Sequence, residues 1–310
     1  MKKILKIIVL LAVLAITAGY IINHKEEFMQ LRIVSPFSIL LLTVFFLADL
    51  FFLGLFNKFL LLPFNIKIGH KEAFGISVIT RFYNFISAFE GGAIAKAVYL
   101  KKKYKFPYSN FLSVASAIYI VVFLVGSLSG IISMIFIKLI YGEFNHLIFT
   151  VFATTFLILL AVVIFSPKFP LSGKKWIDKF IDVLNKWHLI KNDRKIICIT
   201  IMISVFQVLM ASIGTIVVYH IFGIDVAFFK AMFIVAISYA SVMFSITPGN
   251  LGVAEVINVF SAKLMGIQTN EAIAVAVFLR IFNLTLLFIM GPIFSYWLMR
   301  NLEKNEGKNK

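Results

Sequence analysis

Several apolar runs in this chain are as long as the roughly 18–20 residues that an α-helix needs to cross a lipid bilayer, and some are longer. They cover about residues 1–22, 36–56, 107–137, 147–165, 196–222 and 272–298. The 310-residue chain is 61% hydrophobic and 14% charged, and no polar stretch is long enough for a separate soluble domain. The sequence therefore predicts an all-α polytopic membrane protein with a single transmembrane domain of residues 1–300 and a disordered cytoplasmic tail of residues 301–310.

The 30 Lys and Arg residues outnumber the 14 Asp and Glu residues, and most of them lie between apolar runs. This placement is typical of cytoplasmic loops beside anionic lipid, so we expect contact with an anionic lipid surface and no nucleic-acid partner. The same rule predicts a multi-pass protein of the plasma (cytoplasmic) membrane with both termini in the cytoplasm.

Two further apolar segments, residues 73–100 and 227–265, are interrupted by glycines and polar residues. Basic residues flank residues 73–100 on both sides, which places both flanks in the cytoplasm. A segment that starts and ends on one side is a re-entrant hairpin, here with Glu90, Gly91 and Gly92 at its turn. Treating both segments in this way, we expect about six full spans plus two re-entrant helical hairpins.

The second segment contains the stretch I-T-P-G-N-L-G-V-A-E, residues 246–255. Pro248 breaks a helix, while Gly249 and Gly252 allow backbone that other residues disfavour. A broken helix in a bilayer must be buried in protein or line a wet cavity, and a carboxylate there, Glu255, is a functional-site hypothesis. The alternative is a simple proline kink with Glu255 near the water interface.

The organisation of the chain repeats 159 positions later, although sequence identity is low. Residues 36–62 fall on residues 195–221, and the turn at residues 85–92 falls on residues 244–251. This pattern predicts two repeats, about residues 1–140 and 147–300, that enter the membrane from opposite sides. Such inverted-topology repeats are common in secondary transporters.

The same shift places Lys96 on Glu255, so these charges are expected at equivalent depths. An unpaired charge near the bilayer centre costs at least ~2.5 kcal/mol. We therefore expect a buried polar cluster of Lys96, Glu255 and Arg280, with three amides as neutral partners: Asn84, Asn250 and Asn283. Glu255→Gln is then expected to impair function in a complementation assay more than insertion. The alternative is a purely structural ion pair that locks the two halves together.

Among the remaining acidic residues, Asp49 lies within the second apolar run. It is either bonded near a helix end or to a neighbouring helix, or it takes part in function. The five aspartates form no D-x-D motif, the histidines form no H-E-x-x-H motif, and the only cysteine is Cys198. No metal, cofactor or disulfide is therefore expected.

The loop of residues 166–195 is basic and carries aromatic and aliphatic residues at helical spacing between Trp176 and Trp187. This pattern predicts an amphipathic helix that lies in the cytoplasmic interface with its aromatic side toward the lipid.

Residues 248–255 are similar to the P-G-G-x-G-x-x-E element of the lysylphosphatidylglycerol synthase transmembrane region family, the flippase-like domain proteins. Arg280 matches the usual arginine of the family's last span. The first-half turn of the family, an Asn followed by a P-G-R-x-G-E-x-x-R-like element, is matched at Asn84 and Gly92. This chain departs from that turn at three positions: Ala88 replaces proline, Ala93 replaces glutamate and Lys96 replaces arginine. The resemblance covers nearly the whole chain.

The resemblance implies a lipid-translocating or lipid-handling membrane protein. In fused members this region resembles a flippase that moves aminoacylated phosphatidylglycerol between leaflets, and a separate soluble domain transfers the aminoacyl group. Because residues 1–310 show no such domain, we do not expect this chain alone to synthesise lysyl-lipid.

Three functions remain open from the sequence. The leading hypothesis is a lipid flippase, with Lys96, Arg81 and Arg280 recognising an anionic or aminoacylated phospholipid. The second is an integral-membrane lipid-modifying transferase, although no catalytic motif is recognisable. The third is a non-catalytic scaffold that recruits a partner enzyme or forms a homo-oligomer.

Overall fold

The computed structural model of the chain describes residues 35–87, 90–165, 167–170, 173, 175–244 and 247–306. Its regular structure is entirely helical within these residues, as the sequence predicts. The predicted first span, residues 1–22, lies outside the described residues.

The described part of the chain forms ten α-helices. They are α1 (Phe37–Leu60), α2 (His70–Ile86), α3 (Gly91–Tyr104), α4 (Tyr108–Tyr141), α5 (His146–Phe165), α6 (Lys175–Lys191), α7 (Arg194–Ile221), α8 (Phe228–Ser238), α9 (Val253–Leu264) and α10 (Thr269–Glu306). Three short 3₁₀ segments accompany them, at Leu62–Phe64, Tyr239–Phe244 and Pro248–Asn250.

Five of these helices, α1, α4, α5, α7 and α10, are long and apolar enough to cross a membrane. A helix satisfies its own backbone hydrogen bonds, which is the condition for crossing hydrocarbon. The chain is therefore an all-α polytopic membrane protein, as predicted.

The two interrupted segments each form a pair of helices separated by a break. Hairpin one consists of α2, the turn and α3; hairpin two consists of α8, two 3₁₀ segments and α9. Within each hairpin the two helices contact each other. A membrane re-entrant course for either hairpin remains a prediction.

The helices follow the 159-position repeat in their order and approximate bounds. Each hairpin packs on the long helix of the other half: α2 contacts α10, and α8 contacts α4. Glycines admit these contacts, since a Cβ on Gly291 would lie 2.3 Å from the Phe82 ring and one on Gly126 would lie 2.7 Å from Tyr239. Helices α1 and α7, equivalent under the repeat, also pack together. This exchange is compatible with a twofold relation, and the inverted topology remains a prediction.

Helix α6 differs from the predicted interfacial helix. Its residues Trp187 and Ile190 are buried in the main core cluster, together with residues of α4 and α7. The Ser113 hydroxyl of α4 also donates to the Val183 carbonyl oxygen at 2.9 Å, and Lys186 donates to Ser109 at 2.9 Å. The apolar face of α6 is thus covered by protein, because α4 extends far enough to receive it.

The predicted disorder from residue 301 is wrong for the first six residues of the tail. Helix α10 continues to Glu306, and Leu302 packs against the core. The apolar helical phase therefore extends past the last hydrophobic run. Residues 307–310 lie outside the described residues.

Candidate functional site

The loop of hairpin two has the unusual backbone that its glycines suggested. Gly249, Asn250 and Gly252 all have positive φ angles, of 56°, 55° and 88°. A Cβ at Gly249 would lie 2.8 Å from Phe85 and 2.9 Å from the Arg280 guanidinium. Only glycine allows both this conformation and this close approach. The loop is thereby pressed against hairpin one and α10.

Arg280 and Glu255 hold this loop in place. Arg280 Nη1 donates to the Gly249 carbonyl oxygen at 2.6 Å and to Glu255 Oε1 at 3.2 Å, and Nη2 donates to the Pro248 carbonyl oxygen at 3.3 Å. The other Glu255 oxygen accepts from the Gly252 amide at 2.7 Å, at the start of α9. The guanidinium also lies 4.6 Å from the centre of the Phe85 ring.

The pairing of Glu255 with Arg280 is therefore present, as expected. Their side chains are 25% and 15% exposed, so Glu255 is not a free carboxylate at a water interface. The contacts fit a structural ion pair well, because the pair fastens a strained loop to α10.

Asn250 completes the loop from the opposite side. Its Nδ2 donates to the Ser241 carbonyl oxygen at 2.6 Å, which ties the loop to the preceding 3₁₀ segment. Among the described residues, neither Asn250 Oδ1 nor Arg280 Nε has a hydrogen-bond partner although both are buried. Buried polar atoms of this kind are uncommon, and they cluster at sites that bind something.

A second polar group lies where α1, α2 and α7 meet. Arg81 forms an ion pair with Asp49, and Gln207 Nε2 donates to the other Asp49 oxygen at 3.3 Å. The side chains of Arg81 and Asp49 are 38% and 29% exposed, more than those of the first pair. Asp49 thus bonds to neighbouring helices, as one of its two interpretations stated.

Asp49 lines a cavity of about 170 Å³ between α1, α7 and α10. Asn283 lines the same cavity, so this amide accompanies Asp49 rather than Glu255. The remaining lining is largely apolar and includes Phe46, Phe282 and Gly214. A small polar group that enters this cavity would meet the Asp49–Arg81 pair.

The two polar groups are neighbours because α2 and α10 carry parts of both. Arg81 and Phe85 are four residues apart on α2 and therefore share one face. On α10, Arg280 directly follows Leu279, which lines the Asp49 cavity. Helices α2 and α10 contact each other.

Lys96 does not join Glu255 and Arg280, which corrects the predicted three-residue cluster. Its ammonium group donates to Asn57 of α1 and lies 5.4 Å from the centre of the Phe111 ring. No carboxylate lies within ion-pair distance of Lys96 in the part of the chain that the structure describes. The repeat aligns positions along the chain and says nothing about the direction in which a side chain points.

Asn84 also has a local role. Its Oδ1 accepts from the Gly92 amide at 2.8 Å, so the last turn of α2 caps the first turn of α3. This capping satisfies a helix-terminal N–H that would otherwise lack a partner.

Glu90 and Gln207 were not among the predicted site residues. Glu90 has a left-handed backbone conformation at the start of α3 and accepts from the Tyr119 hydroxyl at 2.7 Å. The repeat offered a signal for both residues: Glu90 falls on Gly249 in the loop of hairpin two, and Gln207 lies one position before the equivalent of Asp49.

Comparison with known proteins was made for the whole sequence. The family model described as "Lysylphosphatidylglycerol synthase TM region" matches residues 3–291. No curated protein and no solved structure matched the chain.

Proposed function

Because the chain belongs to the lysylphosphatidylglycerol synthase TM region family, we propose that it is a flippase that moves a phospholipid head group between the membrane leaflets. Membership makes it a multi-pass membrane protein of a lipid-handling family. The transport activity, the head-group site and the plasma-membrane location are the proposed part.

The accessibility of Arg81 carries this proposal. Arg81 lies within a bundle of membrane-spanning helices, yet its side chain is 38% exposed and its ion-pair partner Asp49 lines a cavity. A charge at such a depth is costly unless it has a task or a partner. Arginine presents several N–H donors in a planar fork, so a guanidinium bound to Asp49 still has donors for a phosphate.

The residues around Arg81 then have distinct tasks. Asp49 and Gln207 orient the guanidinium, and Asn283 offers a neutral amide across the cavity. Arg280 has its donors engaged by Glu255 and two loop carbonyls, so it holds the loop of hairpin two rather than the lipid. Lys96, bonded to Asn57, stabilises hairpin one against α1.

The two hairpins supply the route in this proposal. If each re-enters its own face of the membrane, their turns bring polar groups inward from opposite sides, as inverted repeats do in transporters. A head group can then pass along polar residues while its acyl chains stay in the bilayer.

We prefer transport to a transferase reaction because of how the buried carboxylates are used. Asp49 and Glu255 are each engaged by an arginine, whereas general acid–base chemistry needs a carboxylate positioned to exchange a proton with a substrate. This preference includes the proposal that the chain does not itself form an aminoacylated lipid.

A vesicle assay tests the function. Purified protein is reconstituted into liposomes with fluorescent phosphatidylglycerol, and dithionite quenches the label in the outer leaflet. We expect the wild-type protein to expose inner-leaflet label, and Arg81→Gln to slow this about tenfold because one charge-assisted phosphate contact is lost.

Arg194→Gln is the matched control, since Arg194 is exposed at the start of α7. It should transport at the wild-type rate. A wild-type rate equal to that of protein-free liposomes, or equal rates for the two arginine variants, would refute the proposal.

A further inference from the structure

A second cavity, which we call the Glu90 groove, lies between hairpin one and helices α4 and α5. Its volume is about 430 Å³, within the range of roughly 300–1,000 Å³ that is usual for small-molecule sites. Its lining is mostly apolar: Glu90, Tyr119, Ile120, Phe123, Leu159 and Val242. It is separate from the Asp49 cavity in its lining residues.

The groove is close to the lipid. Leu159 belongs to α5, a membrane-length helix with little of its surface buried. On the adjacent positions of α5, Leu157 and Ile158 are 62% and 64% exposed. An amphiphile in the bilayer can therefore reach this side of the protein with its acyl chains still in lipid.

Glu90 is the one acidic side chain of this lining, and its charge lacks a cation. Its carboxylate accepts a hydrogen bond from the neutral Tyr119 hydroxyl. Among the described residues no Lys, Arg or His lies within ion-pair distance of Glu90. The N-terminus of α3 contributes a partial positive charge of about +0.5, which leaves much of the carboxylate charge unbalanced.

The equivalent place in the second half does contain a cation. There the loop of hairpin two accepts hydrogen bonds from Arg280 of the long helix α10. Shifting back by 159 positions, the long helix α4 has Val121 where α10 has Arg280. The first half thus presents an acidic turn residue beside a helix that offers it only a phenol.

The ring faces beside Glu90 suit a cation as well. Tyr119 and Phe123 have nearly parallel rings with centroids 6.3 Å apart, and both line the groove. Aromatic faces attract ammonium groups electrostatically, and the attraction strengthens away from water. A carboxylate between aromatic side chains is the chemistry that recognises an ammonium group.

We propose that the Glu90 groove binds the ammonium group of a lipid head group. Glu90 accepts hydrogen bonds from the ammonium, Tyr119 and Phe123 contact it with their rings, and the acyl chains remain in the bilayer beside α5. This inference deepens the proposed function and rests on it only in assuming that lipid head groups reach the interior of the bundle.

Native mass spectrometry of the full-length protein tests the site. The protein is incubated with an equal mixture of phosphatidylethanolamine and N-acetyl-phosphatidylethanolamine, which differ at the amine and match in acyl chains and phosphate. We expect the wild-type protein to retain about ten times more of the free amine. Glu90→Gln should bring the two lipids to nearly equal retention, because Gln still accepts from Tyr119 but has no charge.

Glu303→Gln is the matched control, since Glu303 is exposed near the end of α10. It should keep the wild-type preference, as should Glu90→Asp, which retains the charge. If Glu90→Gln does not fold, Leu159→Trp replaces it: a larger side chain on α5 should fill the groove and remove the preference. Equal retention by the wild-type protein, or an unchanged preference in both Glu90→Gln and Leu159→Trp, overturns the site.

This experiment measures binding without transport, so the two proposals can fail separately. A Glu90-dependent preference for the amine without any movement of label in the liposomes would overturn the flippase and keep the site. Arg81-dependent transport without that preference would overturn the site and keep the flippase.

Discussion

Arg81 and Arg280 are both arginines inside apolar helices, and each pairs with a carboxylate. Arg280 is 15% exposed and also donates to two backbone carbonyls, whereas Arg81 is 38% exposed beside a cavity. A guanidinium whose donors are used by its own protein has little left for a ligand. Structure thus divides two residues that the sequence grouped together.

The first prediction concerns the stability of the loop of hairpin two. Arg280→Gln leaves two loop carbonyls and Glu255 without their donor, so we expect it to lower the unfolding free energy by about 3 kcal/mol. Glu255→Gln keeps an acceptor for the Gly252 amide and should cost about 1 kcal/mol. Thermal unfolding in one detergent gives the order of the two melting temperatures.

Arg300→Gln serves as the control for this pair, because Arg300 is exposed on the same helix. Its melting temperature should match that of the wild-type protein. If Glu255→Gln proved as damaging as Arg280→Gln, the ion pair itself, rather than the carbonyl contacts, would dominate the stability of the loop.

The residue-level site was predictable in part. The pairing of Glu255 with Arg280 followed from two opposite charges within apolar segments of one half. The partners of Lys96 could not be predicted, because they depend on which face of α3 meets α1. Gln207 is neutral and becomes noticeable only when α1 and α7 pack together and bring it to Asp49.

Hairpin one depends on a very close approach of its two helices. A Cβ on Gly92 would lie 1.7 Å from the Thr80 carbonyl oxygen, a distance that no side chain can take. The absence of a side chain also allows the Gly92 amide to reach Asn84. Glycine at this position therefore sets the distance between α2 and α3.

We predict that Gly92→Ala forces α2 and α3 apart and destabilises the protein by about 3 kcal/mol. Gly69→Ala is the matched control, since nothing lies within 4 Å of a Cβ there and its φ of −73° suits alanine. The measurement is the melting temperature and the yield of monodisperse protein. Similar values for both variants would show that hairpin one is less tightly packed than described.

Helix α6 provides a test of packing against protein rather than lipid. Trp187 is buried against the core, while Leu189 on the same helix is 52% exposed. Trp187→Ala should therefore cost about 3–5 kcal/mol by leaving a cavity. Leu189→Ala should change stability by about 0.5 kcal/mol or less. Equal effects in thermal unfolding would favour the interfacial helix that the sequence predicted.

For the whole molecule, hydrophobic run length was the most informative feature of the sequence. It predicted the five described membrane-length helices, because a bilayer requires about 20 apolar residues for each crossing. The interrupted segments predicted breaks at the right places, since glycine, proline and charge together disfavour a continuous helix. The contacts of α2 with α10 and of α8 with α4 could not be predicted, because they depend on side-chain shape across the two halves.

The inverted course of the two hairpins is the claim on which the transport route depends. It is tested most directly by labelling single cysteines with a membrane-impermeant maleimide, in a Cys198→Ser background. Four exposed positions flank the hairpins: Lys67 and Lys102 around hairpin one, and Asp225 and Gln268 around hairpin two. We predict that Cys at 67 and 102 reacts from the cytoplasmic face, and that Cys at 225 and 268 reacts from the opposite face. Labelling of the two positions of either pair from different faces would show that the hairpin crosses the membrane, and would contradict the account.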